Sequence, residues 1–263
     1  SLYFPFSTDF STNFTFFDDV FAIDKKHTIK LLKRMIDSNL GITWDCLTRA
    51  NLVSDDLLKL MKKSGCRKID MGVESGSDKI LVDTKKGVTA EQILEGGRLI
   101  KKNKLFLYAF FIIGLPTETE EDFRKTKEFM LKLKPNWVGV SIFSPIPGTS
   151  IYKDLKEQNL IPDSPDYSNF SHQSPFLNFA YNMDDRDAFP EMAQEMIRYV
   201  QAYNGSWKNL IRRGLTWGYH RNLRVFFSDL KKVLSWKGIL QTSHQGSHSR
   251  FYAKSTKSKL KRD

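Results

Sequence analysis

The amino-acid sequence predicts an α/β protein whose parallel strands form a partial barrel, followed by a helical extension. Three observations carry this. Short β-like runs alternate with helical patterns over residues 14–157. Helix start and stop residues stand between the runs. The strand candidates put apolar residues on one face and charged ones on the other. Repeated strand–helix units of this length imply parallel strands joined by right-handed crossovers.

The elements follow in order. Residues 14–18 form the first strand candidate, and Asp24 then opens a helix that closes near Gly41. A strand is predicted over 43–49, after which Ser54 caps a helix with Leu57, Leu58 and Met61 on its apolar side, ending at Gly65. Residues 68–74 read as a strand. Thr89 and Gln92 have the spacing of a capping box for a helix running to Lys102. Residues 105–114 form a long apolar strand, and Thr117 with Glu120 has the spacing of a second capping box. A last strand over 137–144 leads to a short helix over 151–158. Alternation orients two strands. Ile69, Met71 and Val73 face the helices while Asp70, Gly72 and Glu74 face inward; Trp44 and Cys46 share one face, with Asp45 and Arg49 opposite. Closed eight-stranded barrels fill their interior with Val, Ile and Leu, so polar inward residues favour a wider, incomplete barrel with a ligand inside.

This reading divides the chain into a barrel over 1–158, a loop or flap over 159–183, a helical extension over 184–240 and a basic, disordered tail over 241–263. Pro190 begins a helix running to about Tyr203, and 220–240 is a basic amphipathic helix candidate. The net charge of +11 is concentrated at the end: from Ser206 to Asp263 there are 14 Lys and Arg against 2 Asp and Glu, which leaves 27 and 28 in the remainder. Arguments from charge to partners therefore concern this segment alone. The two cysteines, Cys46 and Cys66, make no disulfide framework and suit a reduced, cytoplasmic setting. No apolar run is long enough to span a bilayer.

Four segments stand at the C-terminal ends of strand candidates, where parallel barrels carry their active sites. They are Phe17-Asp18-Asp19-Val20-Phe21, Gly72-Val73-Glu74-Ser75-Gly76-Ser77, Ile113-Gly114-Leu115-Pro116-Thr117-Glu118-Thr119 and Pro145-Ile146-Pro147-Gly148-Thr149. With the stretch from Trp44 to Arg49, they resemble the core domain of the radical S-adenosylmethionine (SAM) superfamily. The resemblance covers roughly residues 14–152 and is closest to the branch often fused to an upstream cobalamin-binding domain. It implies a partial TIM-like (β/α) barrel lacking its first strand, which suits a chain that opens on Ser1 rather than Met.

The same resemblance implies roles for particular residues. Asp18 and Asp19 would pair with the SAM ammonium, or simply cap the next turn. Arg49 would hold the SAM carboxylate, or pair with Asp45, Asp70 or Glu74. Glu74, Ser75 and Gly76 would contact the ribose, with a helix N-cap by Ser75 or Ser77 as the plainer reading. Gly114 and Pro116 would lie near the adenine, the glycine permitting close approach of a flat ligand. Pro147, in a rigid turn, would shape the adenine or substrate side or serve architecture alone.

The family implies SAM and a 4Fe-4S cluster as cofactors, cobalamin where an upstream domain supplies it, a small-molecule substrate and an external electron donor. A reduced cluster, held by a Cys-x3-Cys-x2-Cys loop, cleaves SAM to start radical chemistry such as methyl transfer, cyclisation or rearrangement. That spacing is absent here, so the sequence predicts no metal site in this chain and a fragment of such an enzyme. The alternative is a non-catalytic SAM-binding or scaffold module. For the basic segment three readings stand: RNA contact, peripheral contact with an anionic membrane, or a helix docked on the barrel, the last favoured by its aromatic content.

Overall fold

The computed structural model describes residues 13–161, 163, 165, 188–217 and 227. Most of the expected flap over 159–183, the tail over 241–263 and, but for Phe227, the expected helix over 220–240 lie outside the described residues.

Five parallel strands form one sheet in chain order: β1 (Asn13–Phe16), β2 (Thr43–Thr48), β3 (Cys66–Glu74), β4 (Phe106–Ile113) and β5 (Trp137–Ile142). Among the described residues β1 and β5 are its edges, so these strands form a partial barrel. Helices α1 (Lys25–Asp37), α2 (Asp55–Lys63), α3 (Asp78–Asp83), α4 (Ala90–Lys102) and α5 (Glu120–Leu133) connect the strands. Beyond β5 come α6 (Ser150–Glu157), α7 (Phe189–Asn204) and α8 (Trp207–Trp217).

The predicted alternation is what the sheet uses. Trp44, Cys46, Ile69, Met71, Val73, Leu107, Ala109 and Phe111 are almost fully buried against the helices. Each large apolar side chain removed from water in this way contributes about 1.5–3 kcal/mol. Trp44 is further fixed by an Nε1 bond to the Ser64 carbonyl (3.0 Å) and by ring contacts with Phe16 and Phe21. Asp45, Lys68, Asp70 and Glu74 stand on the opposite, inward side.

Several local expectations hold. Asp24 caps α1 through His27 N, Ser54 caps α2 through Leu57 N, and the Thr89–Gln92 capping box is formed. Others change. β1 ends at Phe16, so Asp18 and Asp19 lie past the strand, exposed in the following turn. The second capping box is formed by Thr119 and Asp122, not Thr117 and Glu120. The shift has a cause: residues 114–118 first make a turn closed by Glu118 N to Leu115 O (2.9 Å), so the helix starts two residues later. The short α3 starts after Ser77, one of the two positions read as a helix N-cap, and α8 was not anticipated.

α7 runs antiparallel to the strands over β5. Its first residue, Phe189, lies over Gly114 at the end of β4, and Asn204 bonds both Val138 N and Val138 O near the start of β5. α8 then crosses the floor, the end where strands begin. The Asn209 amide donates to Asn136 O (3.0 Å) and the Asn136 amide to Thr216 Oγ1 (3.0 Å), while Asn136 Oδ1 accepts from Leu107 N (2.9 Å). Arg213 is buried with its guanidinium 5.0 Å from the Trp137 ring centroid.

Candidate functional site

The C-terminal ends of β2, β3 and β4 carry the polar residues that the sequence singles out, and each end is built differently. At β3, Glu74 takes a left-handed conformation (φ 67°), which no strand interior allows and which a residue with a side chain adopts only when its surroundings hold it there. Glu74 Oε1 accepts from Lys86 Nζ at 2.7 Å. This pair lies over Gly72, where a Cβ would come within 2.8 Å of Glu74 Oε1 and 2.9 Å of Lys86 Nζ. Lys86 is brought there by the end of α3: Lys86 N bonds Leu81 O and Lys85 N bonds Val82 O, with Lys85 left-handed (φ 52°), a Schellman closure made without glycine. The Arg49 guanidinium donates to the Lys86 carbonyl. Its expected partners, Asp45, Asp70 and Glu74, are taken by lysines instead, so Arg49 makes no ion pair among the described residues.

Ser75 and Gly76 turn away from the inward face. Ser75 is fully buried, its Oγ 2.9 Å from Thr126 Oγ1 of α5 and accepting from Ser77 N at 3.1 Å. A Cβ on Gly76 would stand 2.4 Å from Phe129 Cβ and 2.7 Å from the Lys125 carbonyl. Both residues therefore seat the β3 loop on α5, while the Glu74 side chain stays at the inward face beside Gly72. Ser77 occupies the N-cap position of α3 without a side-chain cap, because its hydroxyl donates to Asp122 Oδ1 at 2.6 Å.

Gly114 is also left-handed (φ 78°), and the space that its missing Cβ leaves is filled by Phe189, whose Cζ would lie 2.4 Å away. The close approach predicted for a flat ligand is made there by a phenyl ring of α7. Pro116 is buried, and Pro147 is exposed in the turn before α6.

Two carboxylates that the sequence left unremarked organise this region. Glu118 has no exposed surface; its Oε2 accepts from Gly114 N at 2.5 Å while Oε1 is buried without a hydrogen bond. Burial pushes its carboxyl up to about 8, against the pull of the Gly114 and Leu115 amides. Asp122 is equally enclosed. Burial opposes its ionisation, but bonds from Ser77, Thr119 and Lys79 outweigh that and hold it at about 2. Burial of acidic residues is too rare for sequence to suggest it; the only hint was the Thr-x-x-Asp spacing at 119–122.

Deeper inside, Lys68 Nζ lies 2.9 Å from Asp70 Oδ2 and 3.5 Å from Asp45 Oδ1. Burial raises Asp70 to about 6, with Asp45 adding to the rise and Lys68 opposing it. Neighbouring Tyr108 is pushed up to about 12, by burial and then by Asp70.

Residues 7–130 match the family model of the radical SAM superfamily. This stretch of the chain is a radical SAM domain. Curated relatives agree. An uncharacterised methyltransferase of Pyrococcus horikoshii is 34% identical over 146 residues, covering 56% of this chain and 32% of the relative. Bacteriochlorophyllide d C-12(1)-methyltransferase of Chlorobaculum tepidum is 28% identical over 55% of this chain and 32% of its own length. The anaerobic magnesium-protoporphyrin IX monomethyl ester cyclase of Cereibacter sphaeroides is 29% identical over 61% and 26%. The chain thus spans about a third or less of these enzymes. Among solved structures, the cobalamin-dependent SAM radical enzyme OxsB superposes with a TM-score of 0.56 at 14% identity, covering 93% of this chain and 42% of that one. The radical SAM methyltransferase TsrM of Kitasatospora setae gives 0.53 at 17%, covering 68% and 37%. At such identities these two establish the fold.

The radical SAM domain fits its two family cofactors unequally. SAM carries a carboxylate, an ammonium and a ribose diol. Arg49 has a guanidinium outside any ion pair, Asp18 and Asp19 are exposed acids, and Glu74 keeps Oε2 outside its bond to Lys86. These residues fit SAM. They do not fit the cluster. Cys46 and Cys66 are the chain's two thiols, both fully buried on the helix-facing side of the sheet. Contact with Cys66 and burial push the Cys46 thiol up, away from the thiolate that iron requires. No group of three or more His, Cys, Asp or Glu among the described residues is placed to hold a metal ion.

Proposed function

We propose that this chain is the SAM-holding wall of a radical SAM enzyme acting on a small molecule, with an external electron donor. Methyl transfer, cyclisation or rearrangement are the outcomes this reading admits. The names of the methyltransferase and cyclase relatives support the first two. The cobalamin bound by the methyltransferase TsrM supports methyl transfer with cobalamin held by a further domain. The observation that carries the reading is the Glu74–Lys86–Arg49 arrangement at adjacent strand ends within a radical SAM domain.

In this arrangement Arg49 binds the carboxylate of SAM, Asp18 or Asp19 its ammonium and Glu74 the ribose hydroxyls, while Lys86 orients Glu74. Hydrogen bonds to charged partners are stronger than neutral ones. Ser75, Gly76, Gly114 and Pro116 act by fixing the loops, and Pro147 by shaping the turn after β5.

Isothermal titration of the folded chain with SAM tests the assignment. Binding is expected, with Arg49→Gln and Glu74→Gln each weakening it by about tenfold or more. Absence of SAM binding by a chain of native circular dichroism would sink the proposal.

The burial of both cysteines favours a second reading, a SAM-binding module that holds no cluster itself. Anaerobic reconstitution with iron and sulfide is expected to leave no stable cluster absorbance on this chain. An in-frame Cys-x3-Cys-x2-Cys run ahead of Ser1 selects the enzyme over the module.

A further inference from the structure

The inward face of the sheet is graded from the strand starts to the strand ends. Lys68, Phe106 and Tyr108, nearer the starts, are buried. Gly72, Phe110, Ile112 and Gly139, nearer the ends, are only half-buried. Phe110 stands at the centre of this more open part, with Gly72 of β3 and Gly139 of β5 as its register partners on either side.

Glycine inside a strand marks a close approach, and each of these two admits one. Gly72 seats the Glu74–Lys86 pair. Gly139 seats the Tyr108 ring: a Cβ there would come within 2.8 Å of the Tyr108 hydroxyl and 3.1 Å of Phe110 Cδ1. Tyr108 and Phe110 therefore stack, with ring centroids 4.0 Å apart and planes at 28°. Tyr108 lies two residues nearer the strand start, so it covers one face of the Phe110 ring. The other face is directed toward the strand ends, where Glu74 and Arg49 stand.

Behind this aromatic platform the balance of charge is acidic. Asp45 and Asp70 share one lysine, Lys68, and Asp45 Oδ1 and Asp70 Oδ1 are buried without a hydrogen bond. A buried acceptor left so is costly, and a donor placed against it recovers that cost. The burial that pushes Asp70 up to about 6 expresses the same demand for donors. Small-molecule sites join an apolar or aromatic lining to a few placed polar groups, and this part of the inward face has both. A phosphate or carboxylate would be repelled by the acids. A saturated chain would leave the ring face unused.

We propose that the inward face around Phe110 binds the substrate, a flat heteroaromatic ring carrying an N–H, stacked on Phe110 with its N–H edge toward Asp70. The proposal rests on the reading of this face as the one that receives SAM, and it names the class of substrate. Phe110 is the register neighbour of Gly72, over which the Glu74–Lys86 pair lies, so the ring is held beside the residues assigned to SAM.

Saturation-transfer NMR of the folded full chain tests it, with indole as the probe and indene, its carbon isostere, as the comparison. Indole is expected to bind with a Kd of about 1 mM, as suits a fragment of its size. Indene should bind about threefold or more weakly, because it has no N–H to donate. Phe110→Leu should weaken indole binding about fivefold, and Phe110→Tyr, which keeps the ring, should bind like the parent chain, with native circular dichroism in both. Asp70→Asn should narrow the gap between indole and indene. Absence of indole binding overturns the proposal, as does indole binding indifferent to Phe110→Leu, equal binding of indene, or a gap unmoved by Asp70→Asn. Titration with SAM separates this proposal from the one beneath it. A chain that binds SAM but not indole loses the substrate proposal alone, whereas a chain that binds indole but not SAM loses the SAM assignment.

Discussion

The ends of β3 and β4 invite comparison because they start from the same geometry and reach opposite results. Each strand stops at a left-handed residue, Glu74 or Gly114, and each is followed by a loop that packs against helices. At β3 the carboxylate stays at the inward face, bonded to a lysine and beside an arginine. At β4 the carboxylate of Glu118 is folded under the turn with no exposed surface, holding Gly114 N, and Phe189 covers the glycine. One end keeps polar atoms at the inward face. The other uses them to build the wall. Similar motif residues thus stay at the inward face or are buried according to which helix arrives above them.

Substitutions separate the two. The largest effect is expected at the glycines. Gly76→Ala forces a Cβ into the α5 backbone and should cost about 3 kcal/mol, read by urea denaturation. Gly114→Ala adds a disfavoured left-handed side chain to a clash with Phe189 and should cost a similar amount, but part of it should return in Gly114→Ala/Phe189→Leu, because a side chain can yield where the backbone behind Gly76 cannot.

Next come the buried acids, which should respond to pH in opposite senses. Glu118 is held above the ordinary carboxylate range, so the fold favours its protonated form. Its contribution is complete below about pH 4 and is lost as pH rises through about 8. Asp122 is held below that range, so its contribution is present above about pH 4 and is lost as pH falls through about 2. Melting curves across pH should therefore show Glu118→Gln flattening the decline between about pH 4 and 8, and Asp122→Asn flattening the one between about pH 4 and 2. The smallest effect on stability is expected at Glu74→Gln, no more than about 1 kcal/mol, since the pair with Lys86 is partly open to solvent. That contrast would sharpen the comparison: a change that weakens SAM binding yet barely moves stability at β3, against changes at Glu118 and Gly114 that act through the fold.

Much of the architecture was legible because it rests on local periodicity. The inward and outward faces of β2 and β3 follow from alternation at Trp44–Cys46 and Ile69–Val73. Asp24, Ser54, Thr89 and Pro190 marked helix starts within a residue or two, since capping is settled by the few atoms around a helix end. The residues 114–119 were harder. Thr117 and Glu120 have the spacing of a capping box, yet the burial of Glu118 beneath the turn moved the helix start to Thr119. α8 was missed although Trp207, Ile211 and Leu215 stand at helical spacing; what seats it on the barrel is mostly polar, Asn209 and Arg213 being buried by a bond to Asn136 and a ring contact with Trp137, residues distant in the chain.

By itself the sequence determined the class of fold and the family resemblance that residues 7–130 bear out. Tertiary structure alone decided what packs on each motif residue. Ser75 and Gly76 stand beside Glu74, and Gly114 at a strand end, and it is α5 and Phe189 that pack against them. Arg49 looked equally suited to several acids, but Lys68 and Lys86 reach those acids first. A strand end's composition is local, whereas what packs on it comes from far along the chain: Thr126 of α5 is 51 residues from Ser75, and Phe189 of α7 is 75 from Gly114, so steric exclusion is settled only when those helices arrive.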